Sequence, residues 1–463
     1  MTRKPPEAPL VVVLGATGTG KSQLAVELAT RFEGEIINGD AMQMYQGLPI
    51  ITNKITPEEQ RGIPHHLLGT IAIDEEPWTV GLFKKKATQI IQEIRSRGRL
   101  PILVGGTHYY TQSLLFDETL VETEAMERPR ATSSDHESEQ IYPILDGTTE
   151  EMLQRLQEVD PTMANRWHPK DRRKIRRSLE IYLTTGKRAS DIYEEQQQRK
   201  TAKRVGSAAA EQDSASLPVP KQSVILFWVH SDPEVLKQRL DARIGNMVKM
   251  GLLDEVMSMS SFQEHEKMAG NVVDVTRGIW VSIGWKEFEK YLSALKSTEC
   301  SSEDLNKLYE LSIEQIQTAT RQYAKRQIRW IRIKLMNALS EAGLREKLYV
   351  VDASSVAKWD ANVSAPAIEI TGKFLNADIM PLPQEVSPIA RHLLTPDEGV
   401  NEVQEGIRQE CQLCHVTIVN ELQWRAHLGS RRHRALAKKR LKNSRSHLEV
   451  VPTAPQCVEG PVT

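Results

Sequence analysis

Short apolar runs alternate along most of the chain with charged stretches whose apolar residues recur at helical spacing. Runs rich in Val, Ile and Leu, apolar on both faces, are typical of strands buried in a parallel sheet. Four such runs are Leu10–Leu14, Leu100–Val104, Val224–Val229 and Leu348–Val351. Stretches of helical period, such as Ser22–Arg31 and Leu82–Arg95, lie between them. Strands that alternate with helices predict an α/β fold, a parallel sheet flanked by helices.

Changes in composition divide the chain into segments. Two polar stretches, Glu124–Glu139 and Thr201–Pro220, are predicted as exposed loops or disorder. They flank a highly charged, mostly helical segment, which we interpret as an insertion in the α/β domain because strand-like runs resume after it. The predicted segments are the two parts of the α/β domain, 8–135 and 221–355, the helical insertion, 140–200, a linker and irregular extension, 356–405, a small Cys/His module with a basic helix, 406–445, and a disordered tail, 446–463.

The composition of the 463 residues is that of an ordinary globular chain of two to four domains, with 40% hydrophobic and 26% charged residues. Collagen, a coiled-coil rod and a wholly disordered chain are excluded. The net charge of −1 indicates no partner, so any nucleic-acid signal must lie in local clusters. Four cysteines are too few for a disulfide scaffold and favour a reducing compartment. Because no apolar run reaches the roughly 18 residues of a membrane helix, we expect no membrane partner.

A glycine-rich loop carries the first sign of chemistry. Its residues are Gly15, Ala16, Thr17, Gly18, Thr19, Gly20, Lys21 and Ser22. They match the P-loop pattern G-x-x-x-x-G-K-[ST] between a predicted strand and a predicted helix. In such a loop, backbone N–H groups cradle phosphate oxygens, Lys21 neutralises the outer phosphate and Ser22 ligates Mg²⁺. A turn without a ligand is the alternative, but it gives no reason for the Lys-Ser pair.

The loop specifies a di- or triphosphate ligand with Mg²⁺, but it does not specify the reaction. An ordinary NTPase carries a second apolar strand that ends in Asp. The nearest candidate, Glu35–Asp40, is only weakly apolar. The NTPase interpretation therefore fits poorly.

Further stretches follow the loop in a recognisable order. They are 38–56, 62–69, 104–116, 159–190, 239–256, 282–288 and 320–332. With them the chain resembles the tRNA dimethylallyltransferases, also called tRNA isopentenyltransferases, over about residues 8–352. One departure is Ala41, where the family usually has Ser, which puts a hydroxyl contact to the RNA in doubt.

The resemblance implies a catalytic α/β domain that transfers a dimethylallyl group from dimethylallyl diphosphate to N6 of adenosine 37, on the 3′ side of the anticodon. The loop then binds a diphosphate leaving group, with Mg²⁺. Asp40 matches the family's general base, which accepts the N6 proton. Arg243 matches an arginine that stabilises the diphosphate. Thr19 and Thr107 match positions that line the reaction channel.

Each of these residues also has a plainer interpretation. Asp40 is alternatively a Mg²⁺ ligand or a turn cap, and Arg243 a surface salt-bridge residue. Thr107, in a Gly-Gly-Thr turn, is alternatively a helix N-cap. The neighbouring His108 and the two tyrosines after it belong either to the core or to a base-stacking surface. His65 and His66 are either structural or in contact with RNA.

A basic helix is the predicted RNA contact. Asp171–Arg177 holds five basic residues in seven, and such a surface positions RNA through its phosphates. A solvated helix face paired with glutamates is the alternative. The positions that the resemblance places near tRNA are Asp40, Ala41, Met42, Gln43, Thr107, Arg173, Lys174, Ile175, Arg176 and Arg177. The stretch Tyr323–Trp330 packs either on RNA or on the catalytic domain.

The Cys/His module has the spacing of a zinc site. Cys411, Cys414, His427 and His433 follow the pattern C-x2-C-x12-H-x5-H, which predicts a C2H2 finger with a structural Zn²⁺. The long spacing between the histidines resembles RNA-associated fingers. The basic run after it either clamps tRNA phosphates or serves as a nuclear localisation signal. Such a finger on such an enzyme indicates a eukaryotic family member.

We therefore predict a Mg²⁺-dependent prenyltransferase that acts on the anticodon stem-loop of tRNA. We expect a cytoplasmic monomer with mitochondrial and nuclear pools. Two other interpretations stay open at this point. One is a P-loop kinase or NTPase fused to an RNA-binding finger, and the other is an RNA-binding adaptor with a vestigial loop. The ligand of the glycine-rich loop discriminates among the three interpretations.

Overall fold

A computed structural model describes residues 4–116, 142–204, 223–297, 300–395, 409–414, 416–418 and 421–448. The predicted loop at 124–139 lies outside the described residues, as do residues 205–220 of the second polar stretch and the tail from 449. No helix in the described part of the chain has the length and apolarity needed to cross a membrane.

A six-stranded parallel sheet forms the centre of the larger unit. Its strands are β1 (Leu10–Gly15), β2 (Gly34–Asn38), β3 (His65–His66), β4 (Leu100–Val104), β5 (Val224–His230) and β6 (Leu348–Asp352). They lie in the order β3-β2-β4-β1-β5-β6. In the central register Val12 pairs with Leu103 on one side and with Leu226 on the other. The four predicted strands are confirmed as β1, β4, β5 and β6.

The two remaining strands were not predicted, for identifiable reasons. β3 has only two residues, both histidines, and β2 contains the charged Glu35. The Glu35 carboxylate is nearly buried, and it accepts bonds from Arg97 (2.7 Å) and His66 (2.7 Å). These partners lower the pKa of Glu35 and allow a charged residue in the sheet.

The described residues also contain seventeen α-helices. They are Lys21–Arg31, Pro57–Gln60, Val80–Ser96, His108–Leu115, Thr149–Val159, Pro161–Arg166, Arg172–Thr185, Ala189–Arg204, Pro233–Lys249, Leu252–Met268, Glu289–Leu295, Ser302–Trp330, Met336–Glu341, Ala365–Leu375, Pro388–Leu394, Glu421–Leu428 and Arg431–Leu448. The predicted helices Ser22–Arg31 and Leu82–Arg95 are confirmed within one or two residues.

Alternate residues of each strand point to opposite faces, so the sheet separates two apolar cores. On one face Leu10, Val12 and Leu14 pack with the helix Val80–Ser96. On the other face Val11 and Val13 pack with the helix Lys21–Arg31. Helices therefore cover both faces of a parallel sheet, and the predicted fold class is confirmed.

The stretch 356–405 corrects one prediction. We expected a linker and irregular extension, but the structure contains the helices Ala365–Leu375 and Pro388–Leu394. Ile370 and Phe374 are buried in the second apolar core, and Leu393 and Leu394 in the first. The described part of this segment, 356–395, is therefore part of the packed domain. The apolar face of these helices was not recognised in the sequence, because prolines and polar residues interrupt the segment.

The chain divides into two compact units, Met1–Glu122 with Glu211–Pro396, and Thr123–Ala210 with Asp397–Thr463. The second unit contains the predicted insertion, whose helices between Thr149 and Arg204 confirm its helical character. It also contains the Cys/His module. The last helix of that module extends to Leu448, three residues into the stretch predicted as a disordered tail.

Candidate functional site

The carboxyl ends of three neighbouring strands bring the predicted site residues together. The glycine-rich loop follows β1, Asp40 follows β2, and Gly105-Gly106-Thr107 follows β4. Since β2, β4 and β1 are adjacent and parallel, all three turns lie at one edge of the sheet. Ligands of open α/β sheets bind at this edge.

The glycine-rich loop turns tightly against β5. Gly15 has a φ of 152°, and a Cβ there would lie 2.4 Å from the Val229 carbonyl oxygen, so no other residue fits. Gly20 also has positive φ and leads directly into the helix Lys21–Arg31. The loop therefore presents backbone N–H groups and a helix N-terminus on the site side, as phosphate binding requires.

Two cations lie against this loop. Lys21 Nζ donates to the Ala16 carbonyl (2.8 Å), and Arg243 donates to the Thr17 hydroxyl (2.9 Å). Loss of hydration lowers the pKa of Lys21 to about 8, although Asp40 raises it, and the pKa of Arg243 falls to about 10 for the same reason. Within the described residues, the buried Nε of Arg243 has no hydrogen-bond partner. This donor is available to an anionic ligand.

Asp40 is held by backbone groups. Its Oδ1 accepts from Met42 N (3.1 Å), and Gln43 and Gly106 also donate backbone bonds to the carboxylate. Asn38 orients the turn, because its amide donates to the carbonyls of Asp40 (3.0 Å) and Leu67. Loss of hydration raises the pKa of Asp40, and the charge of Lys21 opposes the rise. A carboxylate in this setting is a stronger base than one in water.

Asp40 and the two cations share one cavity of about 650 Å³. Its walls come from the loop, from the turns after β2 and β4, from the segment 49–61 and from the helix Pro233–Lys249. Lining residues that bear on the chemistry are Thr17, Lys21, Ser22, Asp40, Gln43, Lys54, Arg61, Gly106, Arg243 and Met247. The cavity therefore combines an anion-binding wall with one carboxylate.

The two predicted channel threonines differ from expectation. Thr19 is only 2% exposed, and its hydroxyl donates to the Ala16 carbonyl (2.9 Å), so it stabilises the loop and does not face the cavity. Thr107 Oγ1 accepts from Ala41 N (3.0 Å), which ties the turn after β4 to the turn after β2. Thr107 is also the N-cap residue of the helix His108–Leu115, as the alternative interpretation expected, but its side chain makes no capping hydrogen bond.

Three histidines and one tyrosine near these turns make structural contacts, whereas the neighbouring Tyr109 is 43% exposed. His66 bonds the Glu35 carboxylate, and His65 bonds the Ile63 carbonyl (2.7 Å). His108 is buried and stacks on Trp330 with ring centres 5.5 Å apart. The ring of Tyr110 stacks on Phe83. Of the open alternatives for His108 and Tyr110, the core interpretation is confirmed.

Sequence reasoning missed two residues beside Asp40. Gln327, on the helix Ser302–Trp330, accepts from Thr17 N (2.8 Å) and donates to the Gly106 carbonyl (2.9 Å). Tyr323, one helical turn earlier, has its pKa raised by burial and then by the charge of Asp40. The stretch Tyr323–Trp330 therefore packs on the catalytic unit at these positions. The four-residue spacing of Tyr323 and Gln327, which puts both on one face of a helix, was the available signal. The sequence did not indicate what that helix face contacts.

The basic helix of the second unit is less open than predicted. Arg172 donates to the Gly147 carbonyl (2.6 Å) and Arg176 to the Leu145 carbonyl (3.3 Å). Ile175 is fully buried, so its side chain does not face solvent. The other basic residues are the exposed Arg173, Lys174, which pairs with Asp171 (2.9 Å), and Arg177, which pairs with Glu180 (2.9 Å). Two of the five basic residues, Arg172 and Arg176, are thus partly buried and donate to carbonyls of the same unit, and the tRNA contact of this helix stays a prediction.

The Cys/His module forms a compact ligand set. The strands Gln409–Cys411 and Val416–Ile418 pair antiparallel ahead of the helix Glu421–Leu428. The ligand atoms of Cys411, Cys414, His427 and His433 all lie within 4.8 Å of one another. Two thiol and two imidazole ligands at this separation suit a tetrahedral structural Zn²⁺.

Two family models match this chain. The family described as IPP transferase matches residues 43–334, and the family described as zinc-finger of C2H2 type matches residues 410–433. The tRNA dimethylallyltransferase of Schizosaccharomyces pombe is 35% identical over 462 residues, which cover 96% of this chain and 98% of the relative. The tRNA dimethylallyltransferase of Homo sapiens is 36% identical and covers 93% of this chain and 86% of the relative.

A solved structure shares the fold. It is described as a eukaryotic dimethylallyltransferase acting on tRNA, and it superposes with a TM-score of 0.71 at 31% identity. The match covers 96% of this chain and 100% of the other. The similarity therefore extends over nearly the whole length of both proteins.

Proposed function

This chain belongs to the IPP transferase family of tRNA dimethylallyltransferases, and from that premise we propose that it transfers a dimethylallyl group from dimethylallyl diphosphate to N6 of adenosine 37 in tRNA. One C–O bond of the diphosphate ester breaks and one C–N bond forms. The N6 proton passes to Asp40, and inorganic diphosphate leaves. The observation that carries the proposal is the single cavity that joins Lys21, Arg243 and Asp40.

The glycine-rich loop holds the leaving group in this proposal. Negative charge develops on the diphosphate as the allylic C–O bond breaks, and donors fixed in advance stabilise that charge without reorganisation. Lys21, Arg243 and the loop N–H groups are such donors. The Nε of Arg243, which has no partner among the described residues, supplies a further bond to the anion.

The cavity also suits Mg²⁺. Ser22 lines it next to Lys21, and a hydroxyl oxygen is a ligand type that Mg²⁺ accepts. Mg²⁺ usually keeps several waters and binds substrate phosphates, so Ser22 and the diphosphate oxygens would hold it. When bound, it neutralises charge on the leaving group.

Asp40 is the general base in this proposal. An adenine N6 amine is a poor nucleophile, because its lone pair is delocalised into the ring. A carboxylate that accepts the N6 proton removes the positive charge that attack would otherwise create. The backbone bonds from Met42, Gln43 and Gly106 fix the orientation of the Asp40 carboxylate before the adenine binds.

The RNA-binding part of the proposal rests on exposed positive charge. Arg173 is exposed, and on the helix Arg431–Leu448 the described side chains of Arg431, Arg432, Arg434, Lys438 and Arg440 are exposed cations that suit phosphates. Met42 and Gln43, two and three residues after Asp40, would contact the target base, which must leave its stack to react. The monomeric state, the cytoplasmic location and the mitochondrial and nuclear pools stay predictions.

The test is label transfer from radioactive dimethylallyl diphosphate to an anticodon stem-loop in the presence of Mg²⁺. A matched stem-loop with inosine at position 37 lacks the exocyclic amine and serves as the control. We expect label on the adenosine substrate and none on the inosine substrate. Equal labelling of both RNAs would exclude N6 as the acceptor. No labelling together with ATP hydrolysis would favour the NTPase alternative.

A further inference from the structure

The side chain of Gln327 joins two of the turns that build the cavity. It is 4% exposed and lies near the end of the helix Ser302–Trp330. Its Oε1 accepts from Thr17 N (2.8 Å) in the glycine-rich loop, and its Nε2 donates to the Gly106 carbonyl (2.9 Å) after β4. One amide therefore uses its acceptor on one turn and its donor on the other.

Each of these two turns holds a group that the reaction uses. On the loop side, the Thr17 hydroxyl accepts from Arg243 (2.9 Å). On the other side, the Gly106 N–H donates to the Asp40 carboxylate. A single residue, Thr17, thus links Gln327 to Arg243. A single residue, Gly106, links Gln327 to Asp40.

The contact at Gly106 leaves no room for adjustment. A Cβ added there would lie 2.7 Å from Asp40 Oδ2 and 2.8 Å from Gln327 Nε2. Asp40 and Gln327 therefore both approach the bare Cα of Gly106. A movement of the Gln327 amide would be transmitted directly to the peptide that supports the base.

We propose that Gln327 is a positioning residue for prenyl transfer, which sets the distance between the diphosphate-binding loop and Asp40. The proposal rests on the proposed function. A residue here must supply one acceptor and one donor at the reach of a glutamine side chain. Asn is one methylene shorter, Met offers neither group, and ionised Glu offers no donor. Displacement of a reacting group by about 1 Å costs on the order of 10²-fold in rate.

The decisive measurement is a single-turnover rate with enzyme saturated in dimethylallyl diphosphate. For Gln327→Met we expect the rate constant to fall about 10–100-fold, because the bonds to Thr17 and Gly106 are lost, together with one to the Tyr323 side chain, while the side-chain volume is kept. A residue that only stabilises the fold would lower the amplitude, that is, the active fraction, and leave the rate constant unchanged. Gln315→Met, at an exposed position of the same helix, is the matched control and should match wild type in both.

Gln327→Glu supplies a second readout and covers the case in which Gln327→Met does not fold. It keeps an acceptor for Thr17 N but adds a carboxylate next to Asp40. Two neighbouring carboxylates raise each other's pKa, so the acid limb of kcat/KM should move to higher pH. Tyr323 bonds the Gln327 side chain and interacts with Asp40 and Arg326, and Asp40 in turn interacts with Lys21 and Arg243, so these five are the charged and titratable groups near the new carboxylate.

The possible results separate the two proposals. Wild-type enzyme that transfers no label would overturn the proposed function, and this inference with it. Active wild type together with a Gln327→Met rate constant within threefold of it would overturn the positioning role alone. An unmoved acid limb in Gln327→Glu would likewise place Gln327 away from the base.

Discussion

Replacement of Asp40 by Asn tests the general base with little change in shape. Asn keeps one oxygen for the N–H of Met42 but puts an amide donor in the place of the other carboxylate oxygen, beside Gly106. The Gly106 N–H then loses its acceptor, a cost on the order of 1–3 kcal/mol that a domain of this size tolerates. The variant should therefore fold.

The rate of prenyl transfer in this variant should fall far more than its stability. A positioned general base contributes about 10²–10⁴-fold, equivalent to roughly 3–5 kcal/mol of barrier. The single-turnover rate of label transfer should fall by that factor. Affinity for dimethylallyl diphosphate should hold or improve, because removal of the Asp40 charge leaves Lys21 and Arg243 without a nearby anion. Equilibrium binding of the diphosphate measures this separately.

Asp378→Asn is the control, since it makes the same chemical change at an exposed carboxylate of the same unit. An Asp40→Asn rate constant within threefold of wild type would remove Asp40 as the base. A loss of Mg²⁺-dependent diphosphate affinity, in parallel with the rate, would instead assign Asp40 to the metal ion.

Three further predictions address the cations and the finger. Arg243→Met should weaken dimethylallyl diphosphate binding about tenfold or more in calorimetric titration, and unchanged affinity would refute its role. Lys21 is positive below its pKa of about 8 and loses its charge as the pH rises through that value, so kcat/KM should decline above about pH 8. In Lys21→Arg this alkaline limb should disappear, and its persistence would assign the limb to another group. Cys414→Ser should remove the bound zinc in metal analysis and leave diphosphate binding unchanged. Lost diphosphate binding would contradict an independent finger.

The features that the sequence predicted well lie close together along the chain. The strand before the glycine-rich loop, the loop itself and the helix after it are adjacent in the chain, so one short pattern specifies all three. The four zinc ligands also lie within one short stretch. Asp40 and Arg243 were found only through family resemblance, because nothing near either residue marks it as part of the same cavity.

What the sequence could not predict was contact over long separations. Gln327 meets Thr17 across 310 residues and Gly106 across 221 residues. The four-residue spacing puts Tyr323 and Gln327 on one face of the helix Ser302–Trp330, but nothing in the sequence indicates that this face meets the glycine-rich loop and the turn after β4. The hydrogen bonds from Arg172 and Arg176 to backbone carbonyls were not predicted for the same reason. Those carbonyls belong to a turn some 25–31 residues away in the chain.

The most direct test of the account is the identity of the product. Wild-type protein would be incubated with Mg²⁺, dimethylallyl diphosphate and tRNA, and the RNA digested and analysed by mass spectrometry of its fragments and nucleosides. We predict N6-dimethylallyladenosine at position 37, with one diphosphate released for each modified nucleoside. Adenosine 37 left unmodified, or an adduct at a different nucleoside, would contradict it.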